Sequence, residues 1–202
     1  YERVEKFGEL IKGSKGKWLG LLEGHHYWEY QDGTTTDQHL CRLLGAPFLG
    51  TSTLLDIRLD SGRHTGCTVT VFAHHGAGGA SRKQGSSLHR VEDLLSWIEA
   101  DIYLLGHVHT KVNSPVDRLY RTLRGHLYHR TKLIARTGAF LRGYTGQAPQ
   151  GLDKPARLSR GTYVEQALYP PSSMGGLVIS LGLKRIRAGK EDFTVADIHY
   201  SV

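Results

Sequence analysis

The chain is poor in cysteine, in long apolar runs and in anything that resembles a leader. Its two cysteines, Cys41 and Cys67, cannot build a disulfide scaffold and form no paired C-x-x-C zinc knuckle, so a reducing compartment, the cytoplasm, is expected. No stretch approaches the roughly 18 consecutive apolar residues of a membrane-spanning helix, which predicts no membrane partner. The first residues lack the basic, apolar and small-residue succession of a secretory signal. They open at Tyr1, without a methionine and directly in a helical pattern, so further sequence is expected ahead of Tyr1. Hydrophobic residues make up 39% and charged residues 22% of the 202, an ordinary composition for one domain, 1–202, with a real core. The net charge of +7 favours a polyanionic partner such as nucleic acid. The basic residues are nevertheless scattered, over Arg118, Arg121, Arg124, Arg130, Lys132, Arg136 and Arg142 and then Lys184, Arg185 and Arg187, as on a solvated face.

Periodicity places the elements. Val4, Phe7, Leu10 and Ile11 recur at helical spacing, Gly13-Ser14 breaks the pattern, and the apolar run from Lys17 to Leu22 predicts a buried strand. A second helix is marked by Thr35 or Thr36 as N-cap, by Leu40, Leu43 and Leu44 as its stripe and by Gly45 as its stop. Thr53 to Leu59 and Cys67 to Ala73 read as a hairpin turning at Ser61-Gly62. Leu88, Val91, Leu94, Leu95 and Ile98 predict a helix, and Asp101 to Leu105 the next strand. Arg118 to Leu123 and His126 to Lys132 suggest a hairpin around Arg124-Gly125. Further strands are expected at Lys132 to Arg136, Thr162 to Leu168 and Gly176 to Leu183, with one more in 184–202.

Three of these predicted strands run into histidine-bearing loops: Gly24-His25-His26, His74-His75-Gly76 and Gly106-His107-Val108-His109. Strand ends on one edge of an α/β sheet converge on a shared crevice, and imidazole is the commonest metal-binding side chain. The flanking glycines Gly24, Gly76 and Gly106 allow the sharp turns that bring a ligand close to an ion. A single such cluster is ordinary surface chemistry, whereas three in this arrangement predict one metal site.

The residues resemble the calcineurin-like metallophosphoesterases, whose motifs in chain order are D-x-H, G-D-x-x-D, G-N-H-[DE], a strand-end histidine and G-H-x-H. Gly106-His107-Val108-His109 matches the last motif, the strand from Val69 to His75 the strand-end histidine, and Gly24-His25-His26 takes the place of G-N-H. Thr137-Gly138-Ala139-Phe140 looks like the small-residue segment that follows G-H-x-H. The resemblance covers roughly Lys17 to Phe140 and departs from the family twice. His25 stands where the family has asparagine, a softer ligand that bears on metal preference. D-x-H and G-D-x-x-D are absent from the sequence, and Asp32 and Asp37 come too late in the order to replace them.

What the resemblance implies is an α/β fold, a mixed β-sandwich flanked by helices and incomplete at its N-terminus. It further implies two divalent ions (manganese, iron, zinc or nickel) about 3.5–4 Å apart that activate a bridging water against a phosphate ester. The enzyme would be a phosphatase, phosphodiesterase or nuclease. His25, His74 or His75, and His107 would hold one metal and His109 the other, with His26 as the catalytic histidine. Of the pair, an H-x-P alignment of the motif selects His74 and an H-G alignment His75, and His74 is the expected ligand. Arg82 and Lys83, in the glycine- and serine-rich loop 76–87, are placed to contact phosphate. Lacking the aspartate motifs, residues 1–202 alone are expected to bind metal weakly and to show little or no activity. A metallo-β-lactamase-like reading fails, because His107-Val108-His109 is followed by Thr110-Lys111 and not by Asp-His. The alternative is a non-catalytic nucleic-acid-binding module on the same framework.

Overall fold

The computed structural model describes residues 2–14, 17–62, 66–78, 85–141, 144, 163–171 and 174–201. The chain divides into two compact units, Tyr1–Leu54 with Ala73–His75, and Leu55–Phe72 with Gly76–Val202. Among the described residues no helix is long and apolar enough to cross a membrane.

In the first unit, helix α1 (Glu2–Lys12) packs on helix α2 (Thr36–Leu44). Glutamates in the first turn of α1 and Lys12 in the last complement its dipole. Its inward face is not the expected stripe. Phe7 is 50% and Leu10 79% exposed, and the face turned inward runs Val4, Gly8, Ile11. The missing side chain at Gly8 is the reason: a Cβ there would lie 3.1 Å from Leu43 Cδ1, so glycine lets the helices approach. Helix α2 starts as expected. The Thr35 hydroxyl accepts from the Gln38 amide at 3.2 Å, the Gln38 side chain accepts from the Thr35 amide at 3.2 Å, and Gly45 closes the far end at φ 63°. The apolar run 17–22 forms no strand, contrary to expectation. Only Leu21 makes a bridge, to Phe48, and the backbone bonds of the segment go to Pro47 and Leu49, with Glu23 bonded to Gly50 just beyond it. An apolar run becomes a strand only where a partner of matching length runs beside it.

The second unit carries most of a five-stranded mixed sheet in the order β1-β2-β3-β5-β4, built from β1 (Ser52–Asp60), β2 (Gly66–His74), β3 (Ile102–Leu105), β4 (Lys111–Arg121) and β5 (Leu127–Thr137). β3 runs parallel to β5, and β4 pairs antiparallel with β5 as the expected hairpin, longer away from the turn, so that the separate strand expected at Lys132 to Arg136 is the second half of β5. A 3₁₀ turn at Gly85–Leu88 leads into α3 (His89–Trp97). Residues 163–168, read as strand, instead contain the short helix α4 (Tyr163–Gln166), whose apolar spacing suits one turn equally well. Strands β6 (Val178–Ala188) and β7 (Glu191–Ser201) form a separate two-stranded sheet, turning at Gly189-Lys190 with Gly189 at φ 62°.

Alternation along the strands makes two cores. Tyr103, Leu105, Ile134 and Phe72 face one side and pack with Val91, Leu94 and Leu95 of α3. Ile102, Leu133, Val69 and Val71 face the other and pack with Ile179, Leu181 and Ile198 of the two-stranded sheet. The period of two puts consecutive residues into opposite layers, and each fully buried aliphatic contributes about 1.5–3 kcal/mol. Two polar groups between the layers are satisfied. The buried Asp101 carboxylate accepts from the Thr70 amide at 3.0 Å and from the Arg130 guanidinium, and the Tyr103 hydroxyl donates to Ile98 O at 2.7 Å.

Candidate functional site

Two groups of histidines stand out, one in each unit. In the first unit the segment Glu23 to His26 is irregular, and its position is set by side chains of α2. Asp37, in the first turn of α2, accepts from the Gly24 amide at 2.9 Å, and the Thr35 hydroxyl donates to Glu23 at 3.0 Å. The amide of His75 is held by Thr51 O at 2.8 Å. These anchors bring His25 Nδ1 to 2.8 Å from His75 Nε2, across 50 residues of sequence. The Gly24 Cα supports the pair, since a Cβ there would touch the His75 ring at 3.4 Å. His26 lies exposed, its ring centroid 3.8 Å from that of His25. His74 is the last residue of β2 and half-buried.

The pair suits a metal. Two imidazole nitrogens on one ion, each about 2.0–2.1 Å from it, stand about 2.9–3.4 Å apart for right-angled to tetrahedral geometry. The observed 2.8 Å needs a shift of only a few tenths of an ångström to reach that range.

In the second unit β3 ends at Leu105 and the chain turns abruptly. The Val108 amide donates to Gly106 O at 2.8 Å, with His107 between them at φ 66°. This three-residue loop is a γ-turn of the rare left-handed kind, and a non-glycine residue in it costs about 1–3 kcal/mol. His107 Nε2 lies 2.8 Å from Gly78 O. A carbonyl only accepts, so Nε2 carries a proton and donates to Gly78 O. His109 follows, and its pKa is pushed below the ordinary histidine value, first by burial and then by the neighbouring His107. Both effects favour the neutral, ligand-competent imidazole.

Below the turn lies Arg136, on β5 beside Leu105 in the parallel register and only 2% exposed. Its Nη1 donates to Gly106 O at 3.0 Å and its Nε to Ser87 O at 2.9 Å. Burial lowers its pKa, and Arg90 lowers it further, without approaching neutrality for a guanidinium. On the other side is Gly76, at φ 99°, where a Cβ would lie 2.6 Å from Gly106 O. The segment after β5 adopts a turn at Gly138, φ 81°, and bridges Ala139 to Met174.

Of the residues singled out in the sequence, the structure thus joins His25 with His75 and sets His26 beside them, and it places His107 and His109 together on the loop after β3. Arg82 and Lys83 lie outside the described residues. Asp37, Thr35 and Arg136 hold the histidine segments and were not assigned that role from sequence. For Thr35 and Asp37 a signal existed, the T-x-x-Q capping box and the acidic residue inside it. No protein-family profile, curated protein or solved structure matches the chain.

Proposed function

We propose that the chain carries the histidine-rich part of a calcineurin-like metallophosphoesterase site and serves a metal-dependent phosphoester hydrolase of the cytoplasm. The observation that supports this best is the His25–His75 pair, in which two of the three histidine motifs meet although 50 residues separate them. On this reading the five-stranded and two-stranded sheets correspond to the family's β-sandwich, and each unit brings its own ligands, the His25–His75 pair in the first and His107 in the second. His75 takes the place expected for His74, because its ring is the one set against His25.

When bound, divalent metal supplies Lewis acidity at the phosphoryl oxygens. The residues of the chain do the rest. His25 and His75 present ring nitrogens held by the backbone anchors at Gly24 and Thr51. His107 is held through Nε2, which lies 2.8 Å from Gly78 O. His109 belongs to the first metal, and His26, exposed beside His25, is the group free to give a proton to the leaving oxygen.

The test is cobalt binding followed by visible absorption, since D-x-H and G-D-x-x-D are not among these residues and metal occupancy is a more direct readout than turnover. His25→Ala, His75→Ala and His107→Ala should each lower affinity at least about tenfold, and His74→Ala should not. Unchanged affinity in all three ends the metal reading. Binding of a nucleic acid that survives all three substitutions would favour the non-catalytic alternative.

A further inference from the structure

The turn that carries His107 is an unfavourable conformation, and something must hold it. Gly106 O is the atom on which it closes, because it accepts from Val108 N within the turn and from Arg136 Nη1 beneath it. Carbonyl oxygen has two lone-pair directions, so the two donors do not compete. The second arm of the same guanidinium, Nε, is fixed on Ser87 O at the end of the 3₁₀ turn before α3. A planar fork with both arms bonded cannot swing, and here it is fully enclosed. Its charge is buried against main-chain carbonyls, an arrangement that wastes an arginine unless the carbonyls themselves must stay put.

We propose that Arg136 is a positioning residue for His107: the guanidinium locks the Gly106 carbonyl that closes the left-handed turn, and so fixes where the imidazole is presented. Gly76 completes the mould from the opposite side, where any Cβ would strike Gly106 O at 2.6 Å and His107 Cβ at 2.9 Å. The ring is also tethered through Nε2 to Gly78 O, a bond that holds only while the turn keeps the imidazole at that distance. The inference rests on the metal reading insofar as it gives His107 a ligand's task, whereas the Arg136–Gly106–His107 coupling is a property of the fold.

The experiment uses Arg136→Lys, which keeps the charge and removes the fork, with three readouts: the cobalt dissociation constant, the urea midpoint, and the ring nitrogen resonances of His107 in protein labelled at histidine. The expected result is cobalt affinity weakened about 10–100-fold and an Nε2-protonated signature of His107 lost to tautomer exchange, while the ring resonances of His129 and His199, remote from the turn in sequence, stay unchanged. A merely structural arginine would move the midpoint and leave the His107 resonances alone, and that outcome overturns the proposal. Should the lysine variant fail to fold, Gly76→Ala pushes the same carbonyl from the other side with Arg136 intact. Unchanged His107 resonances in that variant overturn the proposal equally. If instead His107→Ala leaves cobalt affinity unaltered, the metal reading falls, and the His107 resonances still decide the role of Arg136.

Discussion

His25 and His26 are neighbours in sequence with different surroundings, and their substitution separates ligand from proton donor. His25 faces His75 at 2.8 Å and is the proposed ligand, whereas His26 is exposed with the His25 ring beside it. His25→Asn keeps a donor, an amide oxygen harder than imidazole, so cobalt should still bind with preference shifted toward harder ions such as manganese. His26→Asn should leave cobalt stoichiometry unchanged and, in protein that turns over an aryl phosphodiester, slow turnover by roughly 10²–10⁴-fold. Loss of metal in His26→Asn with retention in His25→Ala reverses the assignment. The candidate histidines were picked out by a local pattern, a histidine beside a glycine after an apolar run, although the run before His25 forms no strand. Arg136 was not, since it is one basic residue among many until the β3–β5 register sets it beside Leu105. Sequence spacing carries no register between strands 30 residues apart.

The same division appears among the elements. Helix α2 and the β4–β5 hairpin were legible from caps and turn residues, which act within four or five positions. The strand expected at 17–22 and the buried face of α1 were not, because each depends on what lies opposite: a short partner at 47–50 in one case, the gap at Gly8 in the other. The capping box of α2 has a reach beyond its own helix. Thr35→Ala removes the bond to the Gln38 amide and the bond to Glu23 together. It should cost about 0.5–2 kcal/mol of stability by urea titration. Because Glu23 and Gly24 precede His25, cobalt affinity should fall as well. A stability loss without any change in cobalt affinity would mean that Asp37 alone positions the segment.

At the scale of the whole molecule, stability should carry an alkaline signature from Lys132, which is 2% exposed. Burial pushes its pKa down, but the Glu99 carboxylate at 2.6 Å, Tyr103 and Tyr120 together outweigh it, and the net shift is upward from 10.5. The folded state therefore favours the ammonium, and its contribution is full below the ordinary lysine value and lost as pH rises through the raised one. Urea midpoints from about pH 8 to about 11.5 should fall less steeply for Lys132→Met than for the parent chain, and parallel profiles would remove Lys132 from the account. The division of the chain has a different consequence, which concerns time. The first unit takes residues up to Leu54 and then Ala73–His75, so it is not finished when its helices are made. A ribosome adding about 5–20 residues per second needs some 3–10 s to travel the 50 residues from His25 to His75. During that interval the nascent chain exposes His25 without the imidazole that completes its pair. Assembly of the pair is a late event of synthesis, set by the arrival of the end of β2.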